Sequence, residues 1–261
     1  MKKYKGVLFF DLDGTLLNRD SQISLENLWL LEHLAKQNYL SVIASGRSPK
    51  EIEEITEQTA ISSYVSLNGQ YVVIEGEVFA DHRIAPELVD EVMTFSQQLG
   101  HPVACYTPTE YRVNFIDEAT KKLYQLDNAP LPQVDPDFQT TVGVNMLYLF
   151  SEKISDDKLL EEKFNEVLTF YRDSPFSIAI VNKNRSKKAG IQELLTHLEL
   201  TDLMNTYAFG DGNNDISMFE VVKYSVAMGN AGSNVKKAAT FVTHDNETNG
   251  IHHALQHYDL L

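Results

Sequence analysis

What this chain of 261 residues lacks narrows its chemistry before any motif is considered. It has a single cysteine, Cys105, so no intramolecular disulfide staples the fold, which suits a reducing cytosol. In that setting Cys105 is expected as a small core residue, not a nucleophile. No apolar run approaches the roughly 20 residues needed to span a bilayer. The basic start Met1-Lys2-Lys3-Tyr4-Lys5 is followed only by Val7 to Phe10, shorter than the roughly 7–15 apolar residues of a signal-peptide core. A cytoplasmic location is expected.

Positive charge is also scarce. Against 37 Asp and Glu stand 22 Lys and Arg, a net charge of −15. A surface of that sign repels phosphate backbones and anionic lipid, so neither nucleic acid nor membrane is an expected partner. A small anionic substrate is not excluded, because local cations and a metal can reverse the field. Low-complexity segments and internal repeats are absent. What remains, 43% hydrophobic and 23% charged residues, is a globular balance with room for one large domain or a core plus a smaller one.

Along the chain, the apolar run 6–10 stops abruptly at Asp11-Leu12-Asp13-Gly14-Thr15, as a buried parallel strand would. A helix is predicted over 24–38, capped by Ser24, with Leu25, Leu28, Leu31 and Leu34 as its inward stripe. Strand 40–44, helix 49–58 with Pro49 in its first turn, and strand 63–67 follow; Asn68-Gly69 then marks a turn before a β-rich stretch, 70–80. The far end alternates likewise: helix 187–198, strand 206–210, a helix around 218–221, strand 224–227, helix 233–239, strand 240–243 and a terminal helix from 249. Alternation of this kind predicts an α/β fold, a doubly wound, mostly parallel Rossmann-like sheet. The middle differs, holding most of the prolines, Pro86 through Pro175. It is predicted as helices 86–99, 118–126 and 155–169 with strands 102–106, 110–115, 143–150 and 176–182. We expect an α+β domain over 82–184 inserted into a core built from 1–81 and 185–261.

Four clusters carry chemistry. Asp11 and Asp13, two apart in extended chain at a strand's carboxyl end, project to one side, where one can attack or coordinate and the other move protons. Gly14 permits the tight turn, and Thr15 offers a hydroxyl and an N–H to an anion. Ser45-Gly46-Arg47 stands between a strand and a helix, a place where backbone N–H groups hold phosphate oxygens. Lys187 and Lys188 open a helix and can neutralise phosphate charge. Asp211-Gly212-Asn213-Asn214-Asp215 supplies hard oxygen ligands of the kind Mg²⁺ takes, without the register of a calcium loop. Each alone has a bland reading as a turn, a cap or a solvated pair; together, in order, they agree.

The combination resembles the haloacid dehalogenase superfamily of phosphatases across nearly the whole chain. Its signatures are similar to Asp11-Leu12-Asp13-Gly14-Thr15, Ser45-Gly46, Lys187 and Gly210-Asp211-Gly212-Asn213-Asn214-Asp215. Asn68-Gly69 and Ala227-Met228-Gly229-Asn230-Ala231 resemble stretches of the Cof-type branch (subfamily IIB), which carries a large inserted cap of the C2 type. Where many members have Lys-Gly at the third signature, this chain has Ser186-Lys187-Lys188; Lys187 aligns through Ser186, with Lys188 the alternative.

The resemblance implies Asp11 as nucleophile, Asp13 as proton donor and acceptor, and Lys187 as the catalytic lysine. It implies phosphate held by Lys187, Ser45, Thr15, Asn214 and the backbone at Leu12 and Gly46, with Arg47, Asn68 and Gly69 towards the substrate and cap. Mg²⁺ is implied at Asp11, the Asp13 carbonyl and Asp211, with Asp215 supporting. A phosphatase of small phosphorylated metabolites follows, with sugar phosphates, nucleotides or cofactor phosphates as substrates and a monomer or homodimer as assembly. The alternatives are a phosphosugar mutase of the same superfamily or a non-catalytic sugar-phosphate sensor. Outside these clusters, Trp29 is expected to pack among the leucines of its helix. His252, His253 and His257 are expected on an exposed helix face. Tyr106 and Tyr111 are expected as half-buried sheet residues.

Overall fold

Gly6 to Phe10 are buried at every position, and they belong to two cores at once. Leu8 and Phe10 join Ile43, Tyr207 and Phe209 on one side. Val7 and Phe9 join Val42, Ala44 and Ala208 on the other. A strand whose alternate residues both find apolar partners lies inside a sheet covered on both faces, which explains the uninterrupted apolar run.

The computed structural model describes residues 4–126, 129–200 and 203–261, so the basic start Met1-Lys2-Lys3 lies outside the described residues. In chain order the elements are β1 (Gly6–Phe10), α1 (Leu25–Lys36), β2 (Tyr39–Ala44), α2 (Pro49–Gln58), β3 (Ser63–Ser66), β4 (Tyr71–Ile74), β5 (Glu77–Asp81), α3 (Pro86–Gln98), β6 (Val103–Tyr106), β7 (Tyr111–Val113) and α4 (Glu118–Leu126). There follow β8 (Met146–Phe150), α5 (Ile154–Phe164), β9 (Leu168–Ser174), β10 (Ser177–Asn182), α6 (Lys187–His197), β11 (Thr206–Gly210), α7 (Ile216–Phe219), β12 (Tyr224–Ala227), α8 (Ser233–Ala238), β13 (Phe241–Val242) and α9 (Gly250–His257). None of the described helices is long and apolar enough to cross a membrane.

The chain divides into two compact units, one of Met1–Arg47, Glu51–Ala80 and Ser186–Leu261, the other of Ser48–Lys50 and Asp81–Arg185. The first unit carries a sheet of order β13-β12-β11-β1-β2-β3-β4-β5. Pairing is parallel from β13 through to β3 and turns antiparallel between β3 and β4. This is the α/β, mostly parallel sheet that the strand–helix alternation predicts. Strand order runs outward from β1 in both directions, so the crevice at the carboxyl ends of β1 and β11 is a topological switch point, where ligands bind in open α/β sheets. The second unit has an antiparallel sheet of order β7-β6-β8-β10-β9. Its core joins Val89 and Val92 of α3 and Leu160 and Phe164 of α5 to Leu147, Leu149, Ile178 and Ile180. Cys105 is buried there, as expected.

Three local expectations are corrected. The predicted helix 155–169 ends at Phe164, and Leu168–Ser174 is β9, paired antiparallel with β10. Leu160, Phe164 and Leu168 are all buried and four apart, which imitates a continuing helical face. The Val167 amide donating to the Phe164 carbonyl closes a turn instead, and Leu-Thr-Phe-Tyr continues as strand. In α1, Ser24 caps as predicted, its hydroxyl accepting from the Asn27 amide at 3.0 Å. The inward face, however, is Asn27, Leu30, Leu31 and Leu34, while Leu25 lies in solvent. Trp29 is 53% exposed and stacks on His33, so it does not pack among the leucines.

Candidate active site

Parallel pairing of β1 with β11 sets Phe10 opposite Phe209, so Asp11, the first residue past β1, and Asp211, the first past Gly210 at the end of β11, leave the sheet at the same edge. The Asp11 amide donates to the Phe209 carbonyl at 3.0 Å and ties the two strand ends together. Chain direction does the rest. Residues that leave adjacent parallel strands at the same end must meet in the same crevice.

Lys187 reaches this point from the first turn of α6, whose cap is the Ser186 hydroxyl accepting from Ala189 N–H at 3.2 Å. Its Nζ donates to Asp11 Oδ1 at 2.5 Å and to Asp215 Oδ1 at 2.7 Å, and the residue is only 1% exposed. Burial alone would discharge the ammonium, but Asp11 and Asp215 more than reverse that and hold it charged. The neighbouring Lys188 points elsewhere, to the exposed Glu220. Asp215 itself is fully buried and fully used: its second oxygen accepts the amides of Asp211 at 2.9 Å and Gly212 at 2.8 Å. It therefore folds the 211–215 loop as well as holding Lys187. Asp211 is fixed from the other side by the Thr15 hydroxyl, at 3.0 Å from Oδ1.

The remaining predicted residues lie on the adjoining loops. Asp13, two residues past Asp11, forms a double ion pair with Arg47, Nε to Oδ2 at 2.9 Å and Nη2 to Oδ1 at 2.5 Å. This is a half-exposed pair, not the core salt bridge a buried arginine would make. Ser45 follows β2, its amide bound to Val65 O and its Oγ accepting from Arg47 N at 3.1 Å. Gly46 lies against the Asn68 carboxamide, and Asn68 adopts left-handed backbone, φ 52°. Gly69 lets the Ser186 carbonyl approach too closely for any Cβ, and so seats the start of α6. Asn214 sits on the turn Asn213–Asp215, its carbonyl accepting from the Ser217 hydroxyl at 2.9 Å. Leu12 is wholly buried, leaving only its backbone for the crevice.

Asp11, Asp211 and Asp215 offer oxygens that all lie within 4.8 Å of one another. Their charge is poorly balanced, since one buried ammonium faces three carboxylates. Burial first, and Asp215 second, push the Asp11 carboxyl well above the usual carboxylate range, with Lys187 only partly offsetting them. The same two causes push Asp211 to about 6. A buried, oxygen-only set with excess negative charge fits a hard divalent cation. Because both Asp215 oxygens are already engaged, Asp11 and Asp211 are the residues that would hold it, with Asp215 behind them. Among the described residues the terminal histidines build no second cluster of that kind: His252 pairs with Glu26, His253 stacks on His244, and His257 stacks on Phe241.

Sequence reading assigned no role to Asn230. Its Nδ2 donates to the Gly14 carbonyl at 2.8 Å and to Asp211 Oδ2 at 3.2 Å. The available signals were the Ala227-Met228-Gly229-Asn230-Ala231 stretch that contains it and its place just past β12, the next parallel strand beyond β11.

A family model of haloacid dehalogenase-like hydrolases matches residues 8–255. YkrA of Bacillus subtilis (strain 168), named as a phosphatase, is 30% identical over 98% of both chains. YwtE of the same organism, named as a 5-amino-6-(5-phospho-D-ribitylamino)uracil phosphatase, is 27% identical, covering 92% of this chain and 93% of its own. Among solved structures, the subclass IIB sugar phosphatase BT4131 superposes with a TM-score of 0.87 at 28% identity, covering 98% of this chain and all (100%) of its own.

Proposed function

This chain belongs to the haloacid dehalogenase-like hydrolases and is a phosphatase among them, and from that premise we propose that it is a Mg²⁺-dependent enzyme acting on small phosphate monoesters through Asp11. The observation that carries the reading is Lys187 bridging Asp11 and Asp215 beside Asp211 in a buried crevice at the strand ends. The free Asp11 oxygen attacks phosphorus, and the bond from phosphorus to the leaving oxygen breaks, leaving an aspartyl-phosphate. Asp13, exposed beside its Arg47 partner, gives that leaving oxygen its proton. Water then attacks phosphorus, Asp13 takes its proton, and the bond to Asp11 breaks to release phosphate. Lys187 neutralises charge on the transferring group, with Ser45, Thr15, Asn214 and the Leu12 and Gly46 backbone supplying further donors. When bound at Asp11, the Asp13 carbonyl and Asp211, Mg²⁺ supplies the positive charge that lets a carboxylate approach an anionic phosphate.

The core of 1–81 and 185–261 then performs the chemistry, and the cap of 82–184 chooses the leaving group, with Arg47, Asn68 and Gly69 on the substrate side. The names of YwtE and of the sugar phosphatase favour phosphorylated sugars or sugar-like polyols as that class. The test is phosphate release from a panel of such esters, with Mg²⁺ and with a chelator. We expect Mg²⁺-dependent release that disappears in Asp11→Asn. Release persisting in that variant, or in chelator, overturns the reading.

A further inference from the structure

Asp211 has a donor on each oxygen, and the two come from different parts of the chain. Thr15 holds Oδ1 at 3.0 Å, and Asn230 holds Oδ2 at 3.2 Å. Asn230 does more than touch the carboxylate. Its Nδ2 is also 2.8 Å from the Gly14 carbonyl, and its Oδ1 accepts the Asn246 amide at 3.3 Å. Asn246 in turn donates Nδ2 to the Leu17 carbonyl at 2.9 Å. The turn that carries Asn230 is itself pinned, with Met228 N–H on the Gly210 carbonyl at 3.0 Å and Gly229 N–H on the His244 carbonyl at 2.8 Å.

The backbone at Gly14 shows why such a tie matters. Its φ is +74°, and a Cβ there would collide with the Asp211 carboxylate, so the 13–15 loop and Asp211 lie directly against each other. One carboxamide grips both. With each oxygen holding one donor, the carboxylate plane is fixed while each oxygen keeps a lone pair for a cation. Partners that orient ligands in this way typically change metal affinity about 10–100-fold when removed.

We propose that Asn230 is a positioning residue for Asp211, and that it sets how tightly the acidic cluster holds a divalent cation. This rests on the cation reading above. The test is direct Mn²⁺ binding to the full chain by calorimetry, alongside thermal unfolding in chelator and a Mg²⁺ titration of turnover. In Asn230→Ala we expect Mn²⁺ affinity to fall about tenfold or more. The unfolding midpoint in chelator should stay unchanged, and kcat should recover at excess Mg²⁺. Asn230→Leu, which keeps volume but removes both donors, should behave alike, and it serves if the alanine variant folds poorly. A purely structural tie would lower the midpoint and leave affinity alone, so Mn²⁺ affinity within about twofold of wild type in folded variants overturns the inference. Wild-type protein that binds no Mn²⁺ would instead sink the cation reading, and this inference with it.

Discussion

Lys187 and Lys188 are adjacent, identical in type and opposite in consequence. Lys187 is buried between two carboxylates, whereas Lys188 meets Glu220 at the surface. Removing one member of a buried ion cluster leaves the others uncompensated, at a cost of about 3–5 kcal/mol. Lys187→Met should therefore destabilise the metal-free protein by about that amount in urea unfolding. Lys188→Met should stay within about 0.5 kcal/mol of wild type. Comparable losses for the two would refute the burial argument. Sequence could name the pair but not choose by physics between them, because burial is a property of the folded neighbourhood. The same limit hid the Asp13–Arg47 pair, whose members are 34 residues apart, and mistook exposed Trp29 for a packed one. Asp11 was legible for the opposite reason: its signal is local, an acid ending an apolar strand.

Elements transmit these contacts through their ends. The start of α6 is fixed by the Ser186 cap and by Gly69, whose φ of +88° and missing side chain admit the Ser186 carbonyl. Gly69→Ala meets both a forbidden backbone region and a collision with backbone, so it should cost more than about 1 kcal/mol. It should also displace Lys187 from Asp11, lowering kcat more than it raises KM. An alanine variant with full turnover would show that α6 is seated by other contacts. At this scale most strands were legible, because short apolar runs between turn signals have few other uses. The exception, Leu168–Ser174, is instructive. Where strand residues continue the four-residue spacing of the helix before them, periodicity carries no boundary, and only pairing with β10 reveals it. That β1 and β11 belong to one parallel sheet was likewise implicit in the strand–helix alternation, but which residues met between them depended on strand order and register.

At the scale of the whole molecule, the acidic crevice couples stability to pH and to metal. Burial and Asp215 raise Asp211 to about 6, from an ordinary value of 3.8, and Asp11 shifts in the same direction. Between those values the folded chain binds more protons at Asp211 than the unfolded chain does, so this group's contribution falls as pH rises. It is fully present below the unfolded value and gone once pH passes the folded one. In the second unit Asp81, held by Arg83 and Asn145, and Asp156, held by His101, are lowered; their contributions are lost instead as pH falls through the folded values. Wild type compared with Asp211→Asn cancels those opposing terms. In chelator, the unfolding midpoint of the variant should gain on wild type as pH rises from about 4 to about 7. Adding Mg²⁺ at the upper end should raise the wild-type midpoint alone, since a cation that binds only the folded state at 100 times its Kd adds about 2.7 kcal/mol. A midpoint difference that ignores pH would mean the carboxylates do not repel as their burial requires. A Mg²⁺ response that survives in the variant would place the cation away from Asp211.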